Sequence, residues 1–160
     1  MSKSLFSKVS NRKVLAYDLF GNKLEKDPAD FRFRISVYGV LLNKGRVLLQ
    51  RHPLIGKFGL PGGGIELGES IRDSLEREYK EETGILIKTI KLIDVTQDFF
   101  TYDGKCAHSI LIFYEVVRID GKLKTNDEDS AEVKYFSLSE LNENNVQRIF
   151  WPIIERLKRA

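Results

Sequence analysis

Three glutamates stand close together in the sequence, shortly after a run of glycines. Glu78, Glu81 and Glu82 fall within little more than one helical turn, and residues 62–64 are all glycine. Residues 63–85 hold seven acidic and three basic residues, although the whole chain of 160 residues has a formal net charge of +3. Like charges at this spacing repel one another. An acidic strip in a basic chain therefore indicates bound cations that face an anionic ligand.

The glutamates belong to a predicted helix with clear start and stop signals. Ser70 is followed three residues later by Asp73, a variant of the capping box, so the helix should start near Ile71. It should end at Thr83 and Gly84, because glycine readily adopts the left-handed conformation that closes a helix.

The glutamates do not fall on the free face of this helix. At about 100° per residue, Ile71, Leu75 and Tyr79 form an apolar stripe, and Arg72, Glu76 and Lys80 fall on the opposite side. The three glutamates overlap the border of the stripe, where partial burial is costly unless a cation compensates. Oxygen ligands without His or Cys favour Mg²⁺, with Mn²⁺ as an alternative. The competing interpretation is a solvated charge run on a surface helix.

The glycine run favours the cation site over a solvated charge run. Pro61 and the three glycines after it let the backbone approach a ligand closely and offer it amide and carbonyl groups. The chain contains neither GxxxxGK[ST] nor GxGxxG, so neither of these nucleotide-binding motifs applies. The specific signal is the glycine loop at a fixed spacing from the glutamates.

Residues 63–85 resemble the Nudix box. Its pattern is Gly, five residues, Glu, seven residues, Arg-Glu, an apolar residue, any residue, Glu-Glu, any residue, Gly and an apolar residue. The matching positions are Gly63, Glu69, Arg77, Glu78, Tyr79, Glu81, Glu82, Gly84 and Ile85. Tyr79 is the one soft departure, since an aliphatic residue is usual; it can pack there if its hydroxyl reaches water or a partner. The resemblance implies an α/β fold, a Nudix-type α/β/α sandwich with a mixed central sheet and a catalytic loop-helix.

Nudix enzymes hydrolyse a diphosphate that joins a nucleoside to another group. The resemblance implies that Glu78, Glu81 and Glu82 bind Mg²⁺ (or Mn²⁺), with the carbonyl of Gly62 as a further ligand. Asp129 stands where some members of the family place an extra metal-binding acid. The rivals for that position are Glu128 and Glu132. The alternative for this segment is a solvated acidic turn.

The resemblance also implies catalytic roles for Glu69, Arg77 and the three glutamates. Arg77 would orient the glutamates by pairing with Glu69 or with a carboxylate of the box, and its guanidinium fork suits that role. The general base stays open between Glu78, Glu69 and an acid in residues 125–132.

Four residues outside the box are predicted to contact the substrate. Arg51 ends a strand that leads into the glycine loop and could meet a phosphate. Phe99 and Tyr102, with Phe100, could form a stacking wall for a base. Phe150 occupies the position where antimutator members of the family read a purine with asparagine, which makes that specificity doubtful. The alternatives are a solvent-exposed arginine and core aromatics.

The remaining sequence predicts one domain over residues 1–160, with residues 1–31 as an N-terminal hairpin or extension. Strands are expected at residues 32–42, 46–51, 85–100, 109–119 and 132–138, and a closing amphipathic helix at 146–157 with Pro152 near its start.

Composition limits the class of protein. A single cysteine excludes an intramolecular disulfide framework, and no apolar run is long enough to cross a membrane, so we expect a cytoplasmic protein without a membrane partner. The low net charge argues against a nucleic acid polymer as partner. A homodimer through the N-terminal hairpin is expected only because members of the Nudix family often form dimers. The predicted ligand is a small nucleoside diphosphate derivative: a nucleoside triphosphate, a nucleotide sugar, ADP-ribose or a dinucleotide. The alternative function is a non-catalytic nucleotide-binding sensor or interaction module.

Overall fold

A computed structural model describes residues 12–124 and 132–160 of the chain, which form a mixed sheet, two α-helices and two short 3₁₀ helices. The strands are β1 Val14–Tyr17, β2 Lys23–Lys26, β3 Phe31–Asn43, β4 Arg46–Arg51, β5 Phe58–Gly59, β6 Gly62–Gly64, β7 Ile85–Tyr102, β8 Lys105–Gly121 and β9 Val133–Ser137. The α-helices are α1 Ile71–Thr83 and α2 Trp151–Arg159, and the 3₁₀ helices are Pro28–Asp30 and Leu138–Glu140. No helix in these residues is long and apolar enough to cross a membrane.

The long strand β3 organises the sheet. It pairs in parallel with β8 from Phe31 to Leu41 and antiparallel with β6, and only its last two residues pair with β4. The strand order is β2-β1-β7-β8-β3-β4-β5, with β9 beside β4. β8 therefore lies along one edge of β3, and the other edge pairs first with β6 and then with β4.

One helix covers each face of the sheet. On one face, Leu75 and Tyr79 of α1 pack with Val37 of β3 in a buried cluster. On the other face, Ile153 and Ile154 of α2 belong to a second cluster that includes Val40, Val47, Leu111 and Phe113. Side chains alternate between faces along a strand, so the middle of β8 is buried on both sides. The predicted α/β/α sandwich with a mixed sheet is confirmed.

Local signals determine both ends of α1. The hydroxyl of Ser70 accepts a hydrogen bond from the backbone N–H of Asp73 at 3.2 Å. Gly84 has φ +75°, and its N–H donates to the carbonyl of Lys80 at 2.9 Å. The predicted start and stop of this helix are confirmed, because both capping interactions lie within a few residues of the sequence.

Tyr79 is held differently from the sequence expectation. Its side chain is fully buried and its ring fills the space beside Gly39, where an added Cβ would lie 2.7 Å from a ring carbon. Its hydroxyl, however, has no hydrogen-bond partner among the described residues. Burial raises the pKa of Tyr79 well above its ordinary value, so the phenol stays neutral.

The closing helix is shorter than predicted, since α2 begins at Trp151 and not near residue 146. Residues before it pair with β5 instead: Phe58 donates to the carbonyl of Asn145 at 2.8 Å, and Gln147 donates to the carbonyl of Phe58 at 2.8 Å. Pro152 sits in the first turn of α2, where its missing N–H leaves no helical hydrogen bond unmade.

Substitution of two glycines with nearly equal backbone angles separates backbone strain from crowding. Gly84 has φ +75° and Gly104 has φ +71°, but only a Cβ at Gly84 would collide with a backbone carbonyl, that of Lys122. We expect Gly104→Ala to lower the free energy of unfolding by about 1 kcal/mol and Gly84→Ala by about 3 kcal/mol. Urea denaturation measures both. Equal losses would show that the packing around Gly84 is not restrictive.

Candidate active site

Arg77 joins the glycine loop to helix α1. Its Nε donates to Oε1 of Glu69 at 2.7 Å and its Nη2 donates to Oε2 of the same carboxylate at 2.9 Å. Its Nη1 lies 3.1 Å from Oε1 of Glu78 and 3.3 Å from Oε2 of Glu81. Nη2 also lies 3.4 Å from the carbonyl oxygen of Gly64. A planar fork with five N–H groups can satisfy all of these acceptors, and a lysine could not.

This pairing decides the charge state of Glu69. The hydrogen bond from Arg77 lowers the pKa of Glu69 to about 2, and the interaction with Glu69 raises that of Arg77 above its ordinary value. Glu69 is therefore a weak proton acceptor near neutral pH. The two hydrogen bonds of Glu69 to Arg77 show that this carboxylate positions the arginine.

Glu82 faces the other end of the glycine loop. The backbone N–H of Gly62 donates to Oε2 of Glu82 at 2.7 Å. Burial raises the pKa of Glu82 to about 7, and the hydrogen bonds from Gln50 and Gly62 offset this only in part. A bound cation would favour the ionised form of this carboxylate.

Glu78 and Glu81 differ in their exposure to solvent. The side chain of Glu78 is 18% exposed and that of Glu81 is 60% exposed. The sequence expectation of partial burial therefore describes Glu78 and Glu82 but not Glu81. A Cβ on Gly63 would lie 2.6 Å from the carboxylate of Glu78, so only glycine leaves room for this side chain beside the loop.

The donor set at this place fits a hard divalent cation. Glu82 is half-buried and, in the part of the chain that the structure describes, forms no ion pair with a basic side chain. Glu78 lies against a loop that has no side chain, and all the donors are oxygens. Among the described residues, no three His, Cys, Asp or Glu side chains converge closely enough to hold a metal ion by themselves. Glu78, Glu81 and Glu82, which the sequence predicts as joint metal ligands, therefore do not converge on one point. Proteins usually hold Mg²⁺ with one or two carboxylates together with phosphate oxygens and water.

A cavity of about 590 Å³ opens beside these carboxylates, on the α2 side of the sheet. Gly62 and Glu82 contribute to its wall, so the cavity and the carboxylates form one site. Its other walls come from alternate residues of β3, β7 and β8, from the loops after β1 and β4, and from the residues that precede α2. The volume is in the range of small-molecule binding sites.

The structure places the predicted aromatic residues in different surroundings. Phe150 lines the cavity and packs edge-on against Tyr38, with ring centroids 4.8 Å apart. Phe99 packs on the opposite face of the sheet, stacked on His108 with centroids 4.2 Å apart. Its neighbour Phe100 lines the cavity in its place, and Tyr102 is half-exposed and does not line it.

Arg51 also lies outside the cavity lining. Its Nε donates to Oε2 of Glu132 at 2.6 Å, and its guanidinium carbon lies 4.7 Å from the ring centroid of Phe58. Glu132 is further paired with Lys134 at 2.5 Å. Hydrogen bonds from Lys134 and Arg51 lower the pKa of Glu132, so this acid is already neutralised. Arg51 is therefore placed to hold Glu132 and not to meet a ligand in the cavity.

The two other predicted acids of this segment, Asp129 and Glu128, lie outside the described residues. The role predicted for Asp129 as an extra metal ligand stays a prediction.

Several cavity residues were missed from the sequence. Arg34, Ser36 and Tyr38 follow one another at a spacing of two on β3 and line the cavity together. Asp98 on β7 and Arg148 before α2 also line it and form an ion pair of 2.6 Å. The period-two polar pattern of residues 34–38 was the available signal, but it does not reveal which face of the sheet carries the site.

Comparisons with known proteins agree with this fold. Residues 31–157 match the family model described as the NUDIX domain. An ADP-ribose pyrophosphatase of Methanocaldococcus jannaschii is 32% identical over 143 residues, which cover 81% of this chain and 82% of that protein. An 8-oxo-dGTP diphosphatase of Escherichia coli is 30% identical over 106 residues, 66% of this chain and 78% of that protein. The crystal structure of a MutT NUDIX hydrolase from Burkholderia pseudomallei superposes with a TM-score of 0.66 at 24% identity, over 78% of this chain and 97% of that chain.

The chain therefore belongs to the NUDIX family, as the box predicted. The relatives that are named as pyrophosphatases and diphosphatases support the predicted enzyme class, a Nudix pyrophosphohydrolase.

Replacing Glu82 by glutamine tests the cost of burying this carboxylate. Its pKa rises from 4.5 to about 7 on folding, so between these values the unfolded chain releases the proton while the folded protein keeps it. The penalty is absent below the lower value, grows as pH rises through this window and is complete above the upper value. In the presence of a chelator, we expect Glu82→Gln to exceed the parent in free energy of unfolding by roughly 1–3 kcal/mol at about pH 8 and to match it at about pH 4.5.

Urea denaturation at both pH values measures this difference, and Glu76→Gln on the exposed side of α1 is the matched control. A Glu82→Gln protein that is less stable than the parent at both pH values would contradict the electrostatic penalty.

Proposed function

We propose that the protein is a Mg²⁺-dependent hydrolase that cleaves the diphosphate linkage of a nucleoside diphosphate derivative. One observation carries this proposal: Glu82 and Gly62, which belong to the carboxylate and glycine-loop site, also line a cavity large enough for a nucleotide. A diphosphate at the junction would contact the loop, and the rest of the ligand would extend into the cavity.

In this proposal Glu78 and Glu82 hold the metal, with the carbonyl of Gly62 as a further donor and Glu81 as the third carboxylate that the Nudix box predicts. Mg²⁺, or Mn²⁺ in its place, supplies neutralisation of the charge that develops on the phosphate oxygens. Glu78 and Glu82 lie against the loop. Glu81 is 60% exposed and lies 3.3 Å from Nη1 of Arg77, so it would have to leave this pairing to reach the ion. Arg77 orients Glu78 and Glu81 through its contacts with both, while Glu69 fixes the guanidinium from the other side.

Arg34 is the cavity residue best suited to bind a phosphate. Its guanidinium lies beside the loop, 3.1 Å from where a Cβ of Gly64 would be, and donates to the hydroxyl of Ser36 at 3.2 Å. Within the described ranges, no ion pair is found between Arg34 and a carboxylate. An arginine in this situation offers its remaining N–H groups to phosphate oxygens, a role that the sequence had assigned to Arg51.

The base that activates water is proposed to be Glu78. Glu69 is a weak acceptor because its pKa is about 2, and Glu132 is engaged by two cations. Glu78 was predicted both as metal ligand and as base, and these roles give different results on substitution. Loss of a ligand weakens metal binding, whereas loss of a base lowers kcat with metal binding retained.

The relatives narrow the choice of substrates to test. One relative is named an ADP-ribose pyrophosphatase and aligns over most of both chains, and another is named an 8-oxo-dGTP diphosphatase. ADP-ribose is therefore our first candidate. Phe150, at the position where antimutator members carry asparagine, speaks against an oxidised guanine nucleotide as the preferred substrate.

Four further statements remain predictions: one domain over residues 1–160, a cytoplasmic location, a homodimer through the N-terminal hairpin and the absence of a nucleic acid polymer as partner. Gel filtration with light scattering tests the homodimer directly.

The catalytic proposal is tested with purified protein and Mg²⁺ on ADP-ribose, nucleoside triphosphates, nucleotide sugars and dinucleotides. We expect at least one to be cleaved at its diphosphate, and Glu78→Gln to lower kcat by about 10²- to 10⁴-fold. Glu76→Gln removes the same charge from the exposed face of α1 and should retain parental activity. Mn²⁺ affinity, measured by electron paramagnetic resonance, distinguishes a base at position 78 from a ligand.

Tight binding of these compounds without cleavage by the parent would favour the alternative, a non-catalytic nucleotide-binding module. Cleavage that Glu78→Gln leaves unchanged would contradict the site.

A further inference from the structure

The N-terminal hairpin β1–β2 lies outside the residues that match the NUDIX domain, but it contributes to the cavity. The family match begins at residue 31, whereas four consecutive residues of the hairpin loop line the cavity wall. These residues are Asp18, Leu19, Phe20 and Gly21. Phe20 is 76% exposed, the highest exposure of any phenylalanine among the described residues. A large aromatic side chain is thus presented to solvent at the mouth of a binding cavity.

Hydrogen bonds hold the backbone of Phe20 in place. Oδ1 of Asp18 accepts from the backbone N–H of Phe20 at 2.9 Å and from that of Asn22 at 2.8 Å. The side-chain amide of Asn22 donates to Oδ2 of Asp18 at 2.8 Å. The loop is therefore organised around one carboxylate, and Phe20 would lose little backbone freedom on binding a ligand.

Contacts with the cavity wall fix the hairpin relative to the site. Tyr17, the last residue of β1, pairs with Phe100 of β7. The guanidinium carbon of Arg148 lies 3.8 Å from the centroid of the Tyr17 ring, and Nη2 of Arg148 lies 2.6 Å from Oδ1 of Asp98. Asp98, Phe100 and Arg148 all line the cavity. The hairpin is thus joined to the cavity wall by strand pairing and by a cation–π contact, and the ion pair with Asp98 holds the arginine of that contact in place.

We propose that Phe20 stacks on the nucleobase of the substrate and that the N-terminal hairpin determines specificity for a nucleoside. This inference rests on the proposed function, because it assigns the part of the ligand that extends away from the diphosphate. The cavity wall offers apolar surface at Phe100 and Phe150 and polar groups at Asp98 and Ser109, both of which are 8% exposed.

A nucleobase satisfies both kinds of surface, since it has apolar faces and a polar edge. An apolar tail would bury Ser109 and the Asp98–Arg148 ion pair against apolar atoms, and a sugar alone would gain little from the aromatic wall. The ligand class is therefore a diphosphate that carries a nucleobase.

Binding of two non-hydrolysable probes in Mg²⁺ tests this assignment. One is α,β-methylene-ADP, together with its guanine counterpart, and the other is methylenediphosphonate, which has the diphosphate but no nucleoside. We expect Phe20→Ala to weaken binding of the nucleoside probes by about 5- to 100-fold and to leave binding of methylenediphosphonate unchanged. Phe20→Trp should restore binding, because it returns an aromatic face. Isothermal titration calorimetry gives the dissociation constants.

The matched control is Phe33→Ala. Phe33 is 73% exposed, but it contacts His108 on the other face of the sheet and does not line the cavity. Phe33→Ala should leave the dissociation constants of both kinds of probe unchanged.

The outcomes separate this inference from the proposed function. Hydrolysis by the parent, with nucleoside probes bound equally by Phe20→Ala, would overturn the inference alone. Binding that depends on Phe20, without hydrolysis of any substrate, would support the inference and overturn the proposed hydrolase activity. A parent that binds nucleoside probes no better than methylenediphosphonate would also overturn the inference.

Discussion

The guanidinium of Arg77 is the interaction on which the site depends. It makes two bonds to Glu69, which stands before α1, and it contacts Glu78 and Glu81 within the helix. The same group reaches the carbonyl of Gly64 in the loop. One side chain therefore sets the distance between loop and helix. Without its charge, the carboxylates of Glu69, Glu78 and Glu81 would repel one another across a narrow space.

Among the described residues Arg77 contacts Glu69, Glu78 and Glu81 but not Glu82, so the four glutamates differ in their electrostatic surroundings. Glu82 is half-buried and accepts a hydrogen bond from the N–H of Gly62, and desolvation raises its pKa to about 7. It lies where the loop opens into the cavity, so a metal and a diphosphate at this point would meet an unneutralised acid. Arg34 lies beside Gly64 and lines the same cavity, and its N–H groups that do not bond to Ser36 can bind a phosphate. The site thus combines a carboxylate, Glu82, that favours a cation with a guanidinium, Arg34, that favours a phosphate.

The sequence predicted best what is determined locally. Helix α1 was placed correctly because Ser70 and Gly84 cap it within a few residues. The substrate wall was harder, since whether Phe99 or Phe100 faces the cavity depends on the register of β7 against β8 and on which face α1 covers. Likewise, the predicted start of the closing helix at residue 146 is wrong because Val146 forms a β-bridge with Phe58 of β5, a partner almost ninety residues earlier in the chain.

The most direct measurement is a crystal structure of the protein soaked in Mn²⁺, with data collected where manganese scatters anomalously. We predict an anomalous peak between the glycine loop and α1, within coordination distance of the carboxylates of Glu78 and Glu82. A peak elsewhere, or no peak at a Mn²⁺ concentration that supports hydrolysis, would contradict the assignment of this loop and helix as the metal site.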